Sequence, residues 1–443
     1  MPADSEIAQL RLNFKHSAFL FRCRNTQQTP SNTSQIRYSE LSCNSNSILK
    51  VGFLILLSFI LGAQTSLIGQ GIGSCSIMGA EAHIGKLINI YPSFPPNQMS
   101  YTQRFDLELN ANLDSSWNYL HGRAITGFTF NHSTFGNDLV LGRAFSLAYH
   151  IYLHRPVTKN IRFYFNPTGG LAWFNKPYNI IDNSSNLVVG SALTAMASAQ
   201  TGFDISLGKK WQVRLGGSFY HYSNSHVAVP NVGMNVFGGF AGIRYSPNGV
   251  PHAMNITERI AKKGNPTNWR PMFRLRLGLH EFPGTIAPRD GPTYKVLGLT
   301  LGMTTTSENR AMWTFGVTYD YYQGYATYII SQQLFDDISN LDWLSSTVAV
   351  FGGREWCFGR VHIHAELSGK IHSPVQKALD TVWDLPKGAS YDPYIDTRIG
   401  YRYYLIPKRK AWHKIQSAPN IGMSIKTNGG TADFLEISLG YTL

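Results

Sequence analysis

Residues 211–245, WQVRLGGSFYHYSNSHVAVPNVGMNVFGGFAGIRY, form the most informative segment of the chain. Two runs of alternating apolar and polar residues flank a segment of Ser, Asn, Pro and Gly, which predicts two antiparallel strands joined by a loop. Side chains two positions apart share one face of a strand. The apolar face of the first strand begins at Trp211 and ends in His221 and Ser223. By the same parity Asn235, in the return strand, lies at the loop end of that face, so the three polar side chains can converge.

The rest of the chain repeats the strand pattern. Most candidate strands have about ten residues or more, the length that a tilted strand needs to cross a bilayer. Since lipid cannot satisfy exposed backbone groups, such strands must close into a barrel. The alternating segment Phe434–Leu443 resembles the terminal strand recognised by outer-membrane assembly machinery. We therefore predict an all-β protein, a transmembrane antiparallel β-barrel of the outer membrane. A single barrel of roughly 16 strands, with 12–16 plausible, is preferred over an eight-stranded barrel followed by a separate domain.

The composition agrees with this class. Aromatic residues make up 13% of the chain, charged residues only 15%, and there are 41 glycines, values that suit a β-rich membrane protein better than a soluble α/β enzyme. The formal charge of +13 could attract the phosphates of an anionic glycolipid, or it could reflect basic side chains spread over solvated loops. No Lys- and Arg-rich arm is present, so a nucleic-acid partner is not expected.

Five segments are predicted along the chain. Residues 1–49 are polar and aperiodic, and are expected to be disordered or to precede the true start. Residues 50–66 contain a short apolar run behind Lys50, which predicts a secretory signal peptide rather than a spanning helix. The remaining segments are 76–246, the half of the barrel that carries the polar cluster, 247–271, a connecting segment, and 272–443, the C-terminal half.

The polar cluster has the parts of an activated-serine hydrolase. A serine hydroxyl is a weak nucleophile until a neighbouring base takes its proton and a third group orients that base. His221, Ser223 and Asn235 could supply these parts. The same residues could equally be a polar strand end that marks a barrel rim, and His226 in the loop is expected to be a solvated residue. The sequence shows no zinc signature and no phosphate-cradling Gly loop, and the chemistry requires no cofactor.

A family resemblance favours the hydrolase. His221-Tyr222-Ser223-Asn224, then Pro230-Asn231-x-Gly233 and a polar residue at 235, resemble the active-site signature of the PagL-type lipid A 3-O-deacylases, also called acyloxyacyl hydrolases. The likeness covers roughly residues 76–246, with a weaker one around 432–441. The resemblance implies that His221 is the general base, that Ser223 is the nucleophile and that Asn224 helps to form the oxyanion hole. It also implies lipid A, or lipopolysaccharide, as substrate, among outer-membrane lipids.

Asn235 departs from the family pattern. The family has Glu at this position, and Asn cannot supply the negative charge that stabilises an imidazolium. It can still accept a hydrogen bond from the ring and fix its tautomer, as in Cys-His-Asn arrangements. The sequence therefore predicts an outer-membrane serine hydrolase that removes an ester-linked acyl chain from lipid A. The alternative is a non-enzymatic barrel, either a pore or a structural or binding protein, that retains the signature.

Strand parity gives the orientation of the cluster. With a periplasmic N-terminus, odd-numbered strands run outward, and the seventh carries His221 and Ser223 to the outer end of the barrel. The apolar face of a membrane barrel meets lipid. We therefore expect the pair to lie against the outer leaflet, where lipid A is found.

Overall fold

The structure is a computed structural model. It describes residues 76–89, 94–109, 124–250, 268–281, 291–306, 311–358, 360–382, 394–405, 418–428 and 431–443. The predicted N-terminal extension, the signal peptide and residues 251–267 of the connecting segment lie outside these ranges. Within them, no helix is both long and apolar enough to cross a membrane.

The first eight strands form one closed antiparallel barrel. Each strand pairs with its neighbour in sequence, and β1 pairs with β8 to close the circle. The strands are β1 (Ser76–Leu87), β2 (Ser100–Leu109), β3 (Ile125–Thr134), β4 (Arg143–Pro156), β5 (Ile161–Phe174), β6 (Leu193–Leu207), β7 (Trp211–Ser223) and β8 (Met234–Tyr245).

The last eight strands form a second closed barrel, in which β16 pairs with β9. Its strands are β9 (Asn268–Glu281), β10 (Thr293–Thr306), β11 (Ala311–Tyr322), β12 (Ser346–Phe358), β13 (Val361–His372), β14 (Ile395–Tyr404), β15 (Ala418–Asn428) and β16 (Thr431–Thr442). Among the described residues of its connections are three helices: α1 (Gln323–Gln332), α2 (Leu341–Leu344) and α3 (Pro374–Val382).

The prediction of one barrel of sixteen strands is wrong, although the all-β antiparallel class and the number of strands are confirmed. The segments 76–246 and 272–443 are not two halves of one barrel: the first contains a complete barrel, and the second belongs to another whose first strand begins at Asn268, within the predicted connecting segment. Closure of the first barrel relies on a close approach of β1 and β8, where Gly85 faces Gly238. A Cβ on Gly238 would lie 2.2 Å from the Ile84 carbonyl oxygen, so glycine is required at this point of the seam.

The two faces of each strand differ as a membrane barrel requires. Outward side chains such as Leu215, Phe237 and Ile243 are apolar and about half exposed. Inward side chains are polar and buried, and they pair with one another inside the lumen, as Arg214 does with Asp204 of the neighbouring strand at 2.9 Å. An eight-stranded barrel is just wide enough for side chains to fill its interior. The lumen of the first barrel is accordingly filled by ion pairs among Glu81, Arg104, Asp106, Glu108, Asp204, Arg214 and Arg244.

The two barrels pack against each other through apolar outer faces. Ile151 points outward by the parity of β4, yet only 1% of it is exposed. It belongs to a cluster with Phe358, and Ile363 packs against the same cluster from the second barrel. Ile151 therefore meets protein where the other outward side chains of a membrane barrel would meet lipid.

Candidate active site

The hairpin formed by β7 and β8 brings His221 and Asn235 directly opposite each other. Asn235 Oδ1 lies 2.7 Å from His221 Nδ1. Since this oxygen can only accept a hydrogen bond, the ring carries its hydrogen on Nδ1 and keeps the lone pair on Nε2. Both residues are on the outward face of the barrel and only partly buried. The arrangement holds the imidazole in the tautomer that can take a proton through Nε2.

Ser223 ends β7 and is 4% exposed. Its Oγ accepts hydrogen bonds from Asn231 Nδ2 at 2.9 Å and from the Ser225 backbone nitrogen at 3.1 Å. A hydroxyl has two lone pairs and one hydrogen, so these donors leave the hydrogen free to be given to a base.

The described residues include no hydrogen bond between Ser223 and His221. Both side chains nevertheless border the space beside the Cα atom of Gly233. A Cβ built there would lie 3.3 Å from His221 Cε1 and 3.8 Å from Ser223 Cβ. Apo enzymes often have a long contact between nucleophile and base, which tightens in the complex. The pair is therefore adjacent without being hydrogen-bonded.

The donors of Asn224 are engaged within the loop of residues 224–233, which we call the site loop. Its backbone nitrogen donates to Asn231 Oδ1 at 3.1 Å. Its Nδ2 donates to Ser191 Oγ at 3.1 Å and to the Ala228 carbonyl at 2.8 Å. An oxyanion would have to compete for these donors, so in this structure Asn224 holds the loop together.

Asn231 bridges the site, a role that the sequence analysis did not assign. One end of its amide donates to Ser223 Oγ and the other accepts from the Asn224 backbone. The motif Pro230-Asn231-x-Gly233 was the signal that could have indicated it. Asn231 lies eight residues after Ser223 in the chain, and the fold of the site loop brings the two side chains into contact.

The site loop is supported by the connection between β5 and β6. Val232 N donates to the Leu187 carbonyl at 3.3 Å, and Gly233 N to the Val188 carbonyl at 3.1 Å. Val188 and Val189 of this connection belong to a cluster of buried residues that also contains Tyr222. Ser223 therefore lies beside a packed region of the first barrel.

His226 is not solvated, which corrects the expectation from the sequence. The residue is 6% exposed, and burial lowers the pKa of its imidazole to about 4. Two residues of the second barrel are close enough to shift this pKa in opposite directions: Asp433 raises it and His280 lowers it. The ring is therefore neutral at pH 7 and belongs to a contact between the barrels.

Metal ligation can be judged only from the described residues. No group of three or more His, Cys, Asp or Glu side chains within those ranges is arranged to hold a metal ion. His221 and Ser223 are of the types that carry acyl transfer by nucleophilic attack.

One family model matches the part of the chain that contains the candidate site. Residues 89–244 match the family described as Lipid A 3-O-deacylase (PagL). This region contains all four predicted site residues, His221, Ser223, Asn224 and Asn235. No curated protein matches the chain.

Several solved structures are distantly similar to this chain. The outer membrane enzyme PagL shares 19% identity over 37% of this chain and 97% of its own, with a TM-score of 0.28. CdiB from Acinetobacter baumannii shares 8% identity over 84% of this chain and 60% of its own, with a TM-score of 0.15. OmpF of Salmonella typhi, in complex with daunomycin, shares 9% identity over 83% of this chain and 96% of its own, with a TM-score of 0.16. TM-scores this low carry no argument, and the similarity rests on the family match. The first barrel, over residues 89–244, is therefore similar to the lipid A 3-O-deacylases of the PagL family, which confirms the resemblance seen in the sequence.

Proposed function

We propose that the first barrel is an outer-membrane serine hydrolase that removes an ester-linked acyl chain from lipid A. The observation that carries this proposal is the 2.7 Å contact between His221 Nδ1 and Asn235 Oδ1, next to the buried Ser223. A base held in one tautomer beside a serine is the minimum that acyl transfer needs. The match of residues 89–244 to the deacylase family supports lipid A as substrate.

The reaction follows from these groups. Ser223 Oγ attacks the ester carbonyl carbon while His221 Nε2 takes the hydroxyl proton. Asn235 keeps the ring oriented as positive charge develops on it. When the tetrahedral intermediate collapses, the bond to the sugar oxygen breaks and His221 returns the proton to that oxygen. Water then attacks the acyl-serine ester with the same help from His221, which releases the fatty acid and restores Ser223.

Donors near Ser223 serve the oxyanion in this proposal. Asn224 is the residue assigned by resemblance, and its Nδ2 must turn away from Ser191 or from the Ala228 carbonyl to reach the substrate. The Ser225 backbone nitrogen already lies 3.1 Å from Ser223 Oγ. Such donors stabilise the charge that appears only in the transition state.

The position of the site suits a lipid substrate. His221 and Asn235 are on the same outward face as the exposed Phe237 and Ile243. In this proposal the end of β7 and the start of β8 lie on the outer side of the membrane. A lipid in the outer leaflet then reaches Ser223 from within the leaflet, along this apolar face. The formal charge of +13 is consistent with a phosphorylated substrate.

A non-enzymatic barrel is the second candidate. It is favoured by Asn235, which stands where the family has Glu, and by the missing hydrogen bond between Ser223 and His221 among the described residues. A pore is disfavoured, because ion pairs such as Arg214 with Glu81 fill the lumen of the first barrel. The alternative is therefore a structural or binding barrel.

Mass spectrometry of lipid A decides between the two. Purified lipid A is incubated with the refolded full-length protein and with its Ser223→Ala, Asn235→Glu and Ser206→Ala variants. Loss of one hydroxyacyl mass with the wild type and with Ser206→Ala, but not with Ser223→Ala, supports the proposal. Ser206 is the matched control because it lies near the end of β6, whereas Ser223 pairs with Ala195 near the start of that strand. Activity that appears only in Asn235→Glu would show a site disabled at its third member, and no activity in any variant would favour the non-enzymatic barrel.

A further inference from the structure

The site loop is in direct contact with the second barrel. The Glu281 backbone nitrogen, at the end of β9, donates to the His226 carbonyl at 2.7 Å. Val229 N donates to Glu281 Oε2, also at 2.7 Å. Thr293 Oγ1, at the start of β10, lies 3.5 Å from the Val227 carbonyl. Three residues of the site loop are thus held by the adjoining ends of two strands that belong to the other barrel.

Glu281 is the centre of this contact. The residue is 5% exposed, and its second carboxylate oxygen accepts a hydrogen bond from the Gly291 backbone nitrogen. Hydrogen bonds to an ionised carboxylate are about twice as strong as those between neutral groups. One buried carboxylate therefore ties the site loop of the first barrel to the connection between β9 and β10.

The site loop needs support because of its backbone. Ser225 and His226 have φ angles of 53° and 58°, in the left-handed region that residues with a Cβ avoid. Such conformations persist only where the surroundings enforce them. Ser225 is also the residue whose backbone nitrogen donates to Ser223 Oγ.

The contact between Glu281 and Val229 lies close in sequence to Asn231, the second donor to Ser223. Val229, which is bound by Glu281, precedes Asn231 by two residues. Asn231 Nδ2 is the other donor to Ser223 Oγ. Both donors that fix the hydroxyl thus flank the segment His226–Val229, which the second barrel holds.

We propose that Glu281 is a positioning residue for the reaction, and that the second barrel serves as an intramolecular clamp on the active-site loop of the first. The inference rests on the proposed deacylase function. Glu281 acts through the site loop: it fixes Val229 and His226, and through them the two donors on Ser223. The chain therefore places half of its strands in a second barrel that stabilises the catalytic geometry of the first.

The test combines kinetics with hydrogen exchange on the full-length protein. Deacylation of lipid A is measured for the wild type and for Glu281→Ala, Glu281→Gln and Asp336→Ala. Asp336 is the matched control, an exposed acidic residue in a connection of the same second barrel. Amide exchange of residues 225–231 is followed in each protein by mass spectrometry, and heat-modifiable gel migration verifies that the barrels are folded.

The proposal predicts that Glu281→Ala lowers kcat by about tenfold with little change in KM, and speeds exchange of the site loop, since a charge-assisted hydrogen bond is lost. Glu281→Gln keeps one acceptor oxygen and should be intermediate, while Asp336→Ala should match the wild type. An unchanged kcat or unchanged exchange in Glu281→Ala, with an active wild type, would overturn the inference and leave the deacylase function intact. An inactive wild type would instead refute the proposed function. Loop exchange alone would then decide the clamp, with faster exchange in Glu281→Ala supporting it and unchanged exchange overturning it.

Discussion

Substitution of Asn235 by Asp tests whether the third member of the site limits catalysis through its missing charge. Asp has the shape of Asn, so an oxygen should remain about 2.7 Å from His221 Nδ1. The change adds a full negative charge and removes the amide donors. Asn235→Asp therefore separates charge from geometry better than Asn235→Glu, which also adds a methylene.

The expected gain follows from the strength of this one hydrogen bond. Neutral hydrogen bonds contribute about 0.5–1.5 kcal/mol and those to charged groups about 1.5–3 kcal/mol. The positive charge on His221 develops only in the transition state, so the difference of about 1 kcal/mol appears in kcat. Partial exposure of both side chains places the effect toward the lower end, because solvent screens it. We expect kcat to rise about fivefold, with KM nearly unchanged.

The assay is the initial rate of fatty-acid release from lipid A in detergent micelles. Asn235→Asp is compared with the wild type, with Asn235→Leu, which removes the acceptor, and with Ser223→Ala, which sets the background. Asn235→Leu should lose most of the activity, since nothing then fixes the tautomer of His221.

A folded Asn235→Asp that is no faster than the wild type would refute the argument from charge. An Asn235→Leu variant as active as the wild type would refute the orienting role of Asn235 itself. Circular dichroism and heat-modifiable migration of each variant identify any loss of rate that comes from misfolding.

Three further predictions concern the site loop and the lumen. Gly233→Ala should lower kcat about tenfold, because Gly233 has φ +80° and a Cβ would lie 3.3 Å from His221 Cε1; rates and unfolding temperature test this. Arg214→Met should destabilise the first barrel by about 3–5 kcal/mol, because it removes a buried guanidinium that pairs with the carboxylates of Glu81 and Asp204 and leaves excess negative charge in the lumen. The exposed Arg143→Met, its control, should cost less than about 1 kcal/mol in urea unfolding from lipid vesicles. Since the pKa of buried His226 is lowered to about 4, stability should fall by about 2 kcal/mol from pH 7 to pH 5, and a His226→Gln variant should lose this part of the pH dependence of unfolding.

The local features of this protein could be read from its sequence. The period of two in residues 211–245 predicted both strands and assigned each side chain to a face. The structure places His221 opposite Asn235, as that parity implies. A single hairpin decides this arrangement, because its two strands are joined by one short loop and share one register.

The closure of the barrels could not be read in the same way. The same sixteen strands, with the same alternation, can form one circle or two. The choice depends on whether β8 pairs with β1 or with β9. The pairs that close the two barrels, β1 with β8 and β9 with β16, join residues far apart in the chain. Glycines such as Gly238 permit the close contact at the seam, but glycine also occurs at ordinary strand pairs, so the sequence alone does not mark the closing pair.

The amino-acid sequence alone predicted the strand class, the faces of the strands and the residues that could supply a nucleophile, a base and an orienting group. These follow from side-chain chemistry and from a period of two, which are properties of a few neighbouring residues. Three features became visible only in the folded chain: the two barrels, the hydrogen bond from Asn231 to Ser223, and the contacts of the buried Glu281 and His226 between the second barrel and the site loop. Those features depend on which distant segments meet, and that is decided by packing and pairing across the whole chain.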